Sequence, residues 1–368
     1  MQCLGGDYVP TSDSRTMSLP PFPSRAAVQS GRDPRALRVC IVDMNNGHVN
    51  QAMRCFRGIV DQFFERVHAY NPDVPCEVVE VSPRDTNNPI PADCDLYLSS
   101  GGPGSPFDGD GEPWTFDYAR FVDGVVESVI QGGSDQRALF AICYSFEVVV
   151  RHYALAQIVP RVDRKFGIMP IYTTTAGQHH PLLAPFKDRL FAFEHRNWEA
   201  VDIDQRKLDS FGGSVLALES RDGVSKGRAI LGLDVAPGVE AVQFHPEADR
   251  AGVVNWIARP EQAAAFKATY GELTYQAMLR TLDDPKRLAR TYALVIPSWL
   301  SRRFNAIAPH RDYAELPPVE DKLPERFGTT PPVAGGTPIG AAVGGAGTGS
   351  HGGPLKAAGA GGPVASQV

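Results

Sequence analysis

The sequence predicts an α/β fold: a central, mostly parallel β-sheet covered by helices on both faces, with a C-terminal helical extension. Two observations carry this. Short, fully apolar strand segments alternate with segments of helical periodicity, the pattern of parallel strands buried on both faces. The chain is also long enough to bury a sizeable core, with 368 residues of which 43% are hydrophobic and 21% charged.

Each segment has its own warrant. Residues 1–36 are rich in Ser, Pro and Arg and lack periodicity, so they read as a disordered leader. Residues 38–43 form a short buried strand. Helical spacing follows over 49–68, through Met53, Phe56, Ile59, Val60, Phe63, Phe64 and Val67. Strands are expected at 77–82 and 95–99, a helix at 113–131, a strand at 138–142, a helix at 144–156 and a later strand at 239–244. Pro285 separates helical stripes over 261–283 and 286–305, read as a C-terminal pair packed on the domain. Their basic residues Lys286, Arg287, Arg290, Arg302 and Arg303 read as a solvated face. Residues 309–368 read as a linker and a disordered tail. The stretch 331–368 holds 12 Gly, 8 Ala and 5 Pro, with Lys356 its one formal charge, too little apolar surface to offset chain entropy.

Composition also excludes functions. The net charge of −6 argues against nucleic acid as a partner. No apolar run reaches the ~18–20 residues of a membrane-spanning helix. None of the six cysteines forms C-x-x-C, and residues 1–36 lack an apolar signal core, so a reducing, cytoplasmic location is expected. The pair His179-His180 reads as a surface turn, with no acidic or Cys companion at ligand spacing, and neither a metal nor a cofactor is expected.

Chemistry concentrates at three strand ends, the edge where such sheets bind ligands. At 141–147, AICYSFE runs a buried strand into a helix with Cys143 at the corner. That is the nucleophile-elbow pattern, with small Ala141 and Ser145 flanking the turn. The helix N-terminus there favours thiolate. At 100–105, SGGPGS leaves main-chain N–H groups free at the sheet rim, as an oxyanion hole requires. At 243–247, QFHPE closes a strand. Glu247 can orient His245, and His245 can deprotonate Cys143 and later protonate a leaving group.

Together these motifs resemble the class I glutamine amidotransferase domain, the glutaminase module of GMP synthase and its relatives, over roughly residues 38–258. The resemblance implies a domain at 37–258 with a flavodoxin-like α/β sandwich and a Cys143–His245–Glu247 triad. It also implies an oxyanion hole from the N–H groups of Gly102 and Tyr144. The implied reaction hydrolyses the glutamine side-chain amide through a γ-glutamyl thioester. Ammonia would pass to a synthetase partner or another acceptor. The family elbow reads G-x-C-x-G-x-Q, so Ala141 and Ser145 replace both glycines. Glu147 replaces the substrate-binding Gln. Its carboxylate would pair with the substrate α-ammonium or repel the α-carboxylate. His195, after the strand-like segment 190–193, stands where family members carry a substrate-side His, and His48 lies in the loop after the first strand. A γ-glutamyl hydrolase and a non-catalytic partner-binding module are the alternatives.

Overall fold

The computed structural model describes residues 21–23, 33, 35–221 and 229–322. The expectations for most of the leader and for the 331–368 tail lie outside the described residues.

Strand β1 (Leu37–Val42) is wholly buried. It leads into α1 (Gln51–Tyr70), capped by the Asn50 side chain, which accepts from the Ala52 N–H at 2.6 Å. Met53, Phe56, Ile59, Val60, Phe63 and Val67 form its buried stripe. Strands β2 (Cys76–Val81) and β3 (Leu96–Ser99) precede α2 (Pro113–Gln131), which starts with Pro and stops at Gly132. Strand β4 (Ala138–Ile142) runs into α3 (Tyr144–His152). Next come β5 (Gln157–Thr173), β6 (Arg189–Val201), β7 (Ser214–Leu218), β8 (Ile230–Ala236) and β9 (Val239–Val242). Helices α4 (Arg250–Ile257), α5 (Pro260–Tyr270), α6 (Glu272–Thr281) and α7 (Leu288–Ile307) close the order.

The sheet is mixed, which corrects the mostly parallel, flavodoxin-like expectation. Strands β2-β1-β3-β4-β9 pair in parallel. Beyond β9 every pairing is antiparallel, and β7 returns to β8, closing β8-β6-β5-β7 into a four-stranded ring. The long β5–β6 pair dominates this half. Its register shifts between Pro160 and Lys165, which breaks the alternation that would mark a strand in the sequence.

Helices cover both faces of the parallel half. On one face α1 packs with α7, and Trp299 of α7 is fully buried with its ring 5.4 Å from Phe140 of β4. On the other face lie α2 and α3. Helix α7 therefore belongs to the main core, contributing about 1.5–3 kcal/mol for each large side chain it buries. Helices α5 and α6 instead cover the ring, where Phe266 and Met278 meet Phe166. The continuous helix expected over 261–283 breaks at Gly271, whose φ of 84° is left-handed.

Three further expectations are corrected. Arg302 and Arg303 are not a freely solvated face: both are partly buried and pair with Glu240, which is fully buried on β9. Residues 309–322 are not a free linker. Tyr313 stacks on Phe304, Ala314 exchanges two hydrogen bonds with Asn71, and Arg311 pairs with Asp95 at 2.6 Å. Within the leader, Phe22 packs edge-on against Phe121 and lies against Gly124 of α2, while Pro23 accepts from Arg137 at 2.9 Å.

Candidate active site

The parallel strands point their carboxyl ends at one cavity of about 230 Å3, lined by residues from the ends of β1, β3, β4 and β9 and from β6 and α4. Cys143, Gly102, Glu147, His195, His245 and Glu247 all face it. His48 lies at its exposed rim.

Cys143 occupies the corner between β4 and α3 with φ 52° and ψ −104°, a conformation that L-residues seldom adopt. Its N–H donates to Val242 of β9, so the sheet itself holds the turn. Ser145 replaces the glycine of the resembled motif without a clash. It is wholly buried, and its hydroxyl bonds the Ser99 hydroxyl at 2.7 Å and the Ser100 carbonyl at 2.6 Å. Tyr118 adds a bond to Ser99 at 2.9 Å. The hydroxyl thus fastens α3 to the end of β3.

His245 follows β9. Its N–H donates to the Phe193 carbonyl at 2.8 Å, and its Nδ1 lies 2.8 Å from Glu247 Oε1. Burial works against the imidazolium, but the negative charge of the Glu247 carboxylate and that of the Cys143 sulfur when ionised, with their hydrogen bonds, outweigh it and hold the His245 pKa well above its ordinary value. Gly101 is the spacer between these groups. A Cβ there would sit 2.8 Å from His245 Cε1 and 3.2 Å from Cys143 Cβ. Gly102 has its own constraint, since a Cβ would meet the Met44 carbonyl oxygen at 2.0 Å.

Tyr144 opens α3, so its N–H has no intrahelical acceptor. Its side chain is buried away from the cavity beneath Arg84, whose guanidinium carbon stands 3.9 Å over the ring. Glu147 is 3% exposed, and burial lifts its carboxyl to about 8. Its Oε1 accepts from Gln243 Nε2 at 3.0 Å. His195 stacks on Phe193 and meets Trp256 edge-on at 5.1 Å. Burial, then the Arg164 and His245 charges, push it down to about 3. Its Nε2 has no hydrogen-bond partner among the described residues.

Two features escaped the sequence reading. Gln243 contacts both Glu147 and the Cys143 sulfur, at 3.8 Å from the latter, yet in the sequence it is one residue of a strand. His180 does have acidic companions, lying 3.6 Å from Asp234 and 3.5 Å from Glu240 across the sheet. Strand pairing creates that cluster, so linear spacing cannot show it. Its buried carboxylate, Glu240, is already matched by Arg302 and Arg303.

No family model and no curated protein matches the chain. Solved structures do. A protein described as SMU.1228c aligns over 73% of this chain and 99% of its own, with 16% identity and a TM-score of 0.51. A glutamine amidotransferase from Thermotoga maritima aligns over 73% and 97%, with 14% identity and a TM-score of 0.48. The glutaminase domain of Trypanosoma brucei CTPS with bound acivicin aligns over 67% and 94%, with 14% identity and a TM-score of 0.39. The chain shares the fold of the protein described as SMU.1228c. At these identities the likeness concerns the fold alone. Among the described residues, no helix is long and apolar enough to cross a membrane.

Proposed function

We propose that the chain is a glutamine amidotransferase-type glutaminase that releases ammonia from the glutamine side-chain amide for a partner synthetase or another acceptor. One observation carries the reading: Cys143, in a strained corner, faces the same cavity as the hydrogen-bonded His245–Glu247 pair. The raised basicity of His245 suits a base that takes the Cys143 proton. The thiolate attacks the carboxamide carbon, and the N–H groups of Gly102 and Tyr144 receive the developing oxyanion. Each such donor is typically worth ~3 kcal/mol. His245 then protonates the departing ammonia. Water, deprotonated by His245, cleaves the γ-glutamyl thioester to free glutamate.

The test is ammonia and glutamate release from glutamine by wild type and Cys143→Ala, with hydroxylamine added to intercept the acyl-enzyme as γ-glutamyl hydroxamate. Equal turnover by the variant removes Cys143 from the nucleophile role.

A second reading, a γ-glutamyl hydrolase acting on γ-glutamyl amines or peptides, draws on the cavity wall. Phe193, Trp198 and Trp256 line it, an apolar surface larger than an ammonia leaving group needs. Comparing kcat/KM for glutamine and for γ-glutamyl conjugates of apolar amines separates the two.

A further inference from the structure

Arg84 is a partly buried cation without an ion-pair partner among the described residues. It lies in the short helical turn Pro83–Thr86 after β2, and among the described residues no carboxylate forms an ion pair with it. Burial works against its charge, eased by Tyr144 beneath it and by Asp108 and Asp85. Desolvating a guanidinium in this way costs free energy, so its contacts are informative.

Those contacts converge on three strand ends. Nη1 donates to the Met44 carbonyl at 2.7 Å, just past β1, and to the Pro103 carbonyl at 3.0 Å, in the turn after β3. The planar face lies on the Tyr144 ring, at the start of α3, within cation–π range. Gly102 abuts the same group, since a Cβ there would stand 2.8 Å from Nη1. One rigid fork thus ties the glycine turn to the first residue of the helix.

We propose that Arg84 is a positioning residue that fixes the spacing between the Gly102 and Tyr144 N–H groups, the two donors that receive the oxyanion. The proposal rests on the Cys143 acyl-transfer chemistry that both readings above share. It accounts for a bound cation whose hydrogen bonds go only to main-chain carbonyls. It also explains why a guanidinium is suited here, because an ammonium cannot stack flat on a ring while bridging two carbonyls.

A second cavity, of about 320 Å3, supplies the means of testing it. Arg84, Asn46, Asn87, Asp108 and Trp114 line it, and it shares Pro103 and Gly104 with the Cys143 cavity. Trimming Arg84 therefore opens a path by which free guanidinium can reach the vacated position.

The experiment measures kcat and KM for wild type, Arg84→Ala and Arg84→Lys, on a γ-glutamyl compound that wild type turns over, with and without guanidinium at sub-denaturing concentration. The expected result for Arg84→Ala is a kcat about tenfold to hundredfold lower, the scale of a donor displaced by about an ångström, with KM little changed. Guanidinium should restore part of that kcat and leave wild type and Arg84→Lys unaffected. Arg84→Lys should fall between the two. Iodoacetamide should alkylate Cys143 at the wild-type rate in every variant, because the nucleophile is untouched; a merely structural role would move that rate. A wild-type kcat in Arg84→Ala, a loss confined to KM, or no rescue overturns the proposal. If Arg84→Ala does not fold, a wild-type kcat in Arg84→Lys overturns it equally. A wild type inactive on glutamine and every other γ-glutamyl compound removes the shared Cys143 chemistry itself, whereas an active wild type with an indifferent Arg84 removes only this inference.

Discussion

Gln243 donates its side-chain amide to Glu147 at 3.0 Å while standing 3.8 Å from the Cys143 sulfur. The residue that replaces the motif's usual Gln is thereby held beside the nucleophile. With its carboxyl raised to about 8 by burial, Glu147 is largely neutral at neutral pH, and in that form it can stand in for an amide. We predict that KM for glutamine rises above pH ~8 in wild type, as ionised Glu147 comes to face the α-carboxylate. Glu147→Gln should lack that rise. KM–pH profiles of both proteins decide it, and a KM that falls with pH would show the carboxylate receiving the α-ammonium instead.

The same residue sets a stability prediction. Unfolded chains release this proton near pH 4.5, whereas the folded protein keeps it until about 8. Between those values the folded state binds more protons, so Glu147 lowers stability as pH rises through the window. The whole effect is on the order of 3–5 kcal/mol. Glu147→Gln should therefore gain far more stability over wild type at pH 8.5 than at pH 5. Urea melts at both values check this, and an equal gain at both refutes it.

Gly101→Ala tests the spacing of the nucleophile and the base. The added methyl would lie 2.8 Å from the His245 ring, so the ring must move. A displacement of about an ångström at a reacting group can cost ~100-fold, and a loss of that order in kcat/KM is expected. Fold and melting temperature should change much less. Activity within twofold of wild type would mean that the ring position is not limiting.

These tests bear on what the sequence could and could not reveal. The elbow, the glycine turn and His-Pro-Glu were readable because each packs its geometry into a few consecutive residues. Helix 113–131 and strand 138–142 were readable because their apolar periodicity is unbroken. Of the ring strands only the start of β6, at 190–193, was readable; β5 was not, because it carries Arg161, Asp163, Arg164 and Lys165 through a register shift. Arg84 and Gln243 were silent as well. Their partners lie far along the chain, and nothing in local spacing marks a side chain that works across strands.

Ser145→Gly would restore the residue found in the resembled motif, yet we predict that it destabilises this protein. The change removes a hydroxyl that bonds Ser99 and Ser100 in a buried site. Leaving those partners short costs about 1–3 kcal/mol. Denaturant titration should show the loss, and Ser145→Ala should show a similar one. A stabilised glycine variant would mean that the elbow prefers the smaller residue after all.

The closure of β7 onto β8 has a consequence for how copies of this chain meet one another. At Ala217 and Leu218, β7 has a neighbour on each side, β5 and β8, so no edge is open there to a stranger. Among the described residues β2 borders the sheet, and its exposed Glu77 and Glu80 are held by Arg38 and Arg57, a row of ion pairs that an incoming strand would have to disturb. One flank is closed by strand pairing at those two residues and the other is lined with ion pairs, so runaway stacking of sheets is discouraged at both.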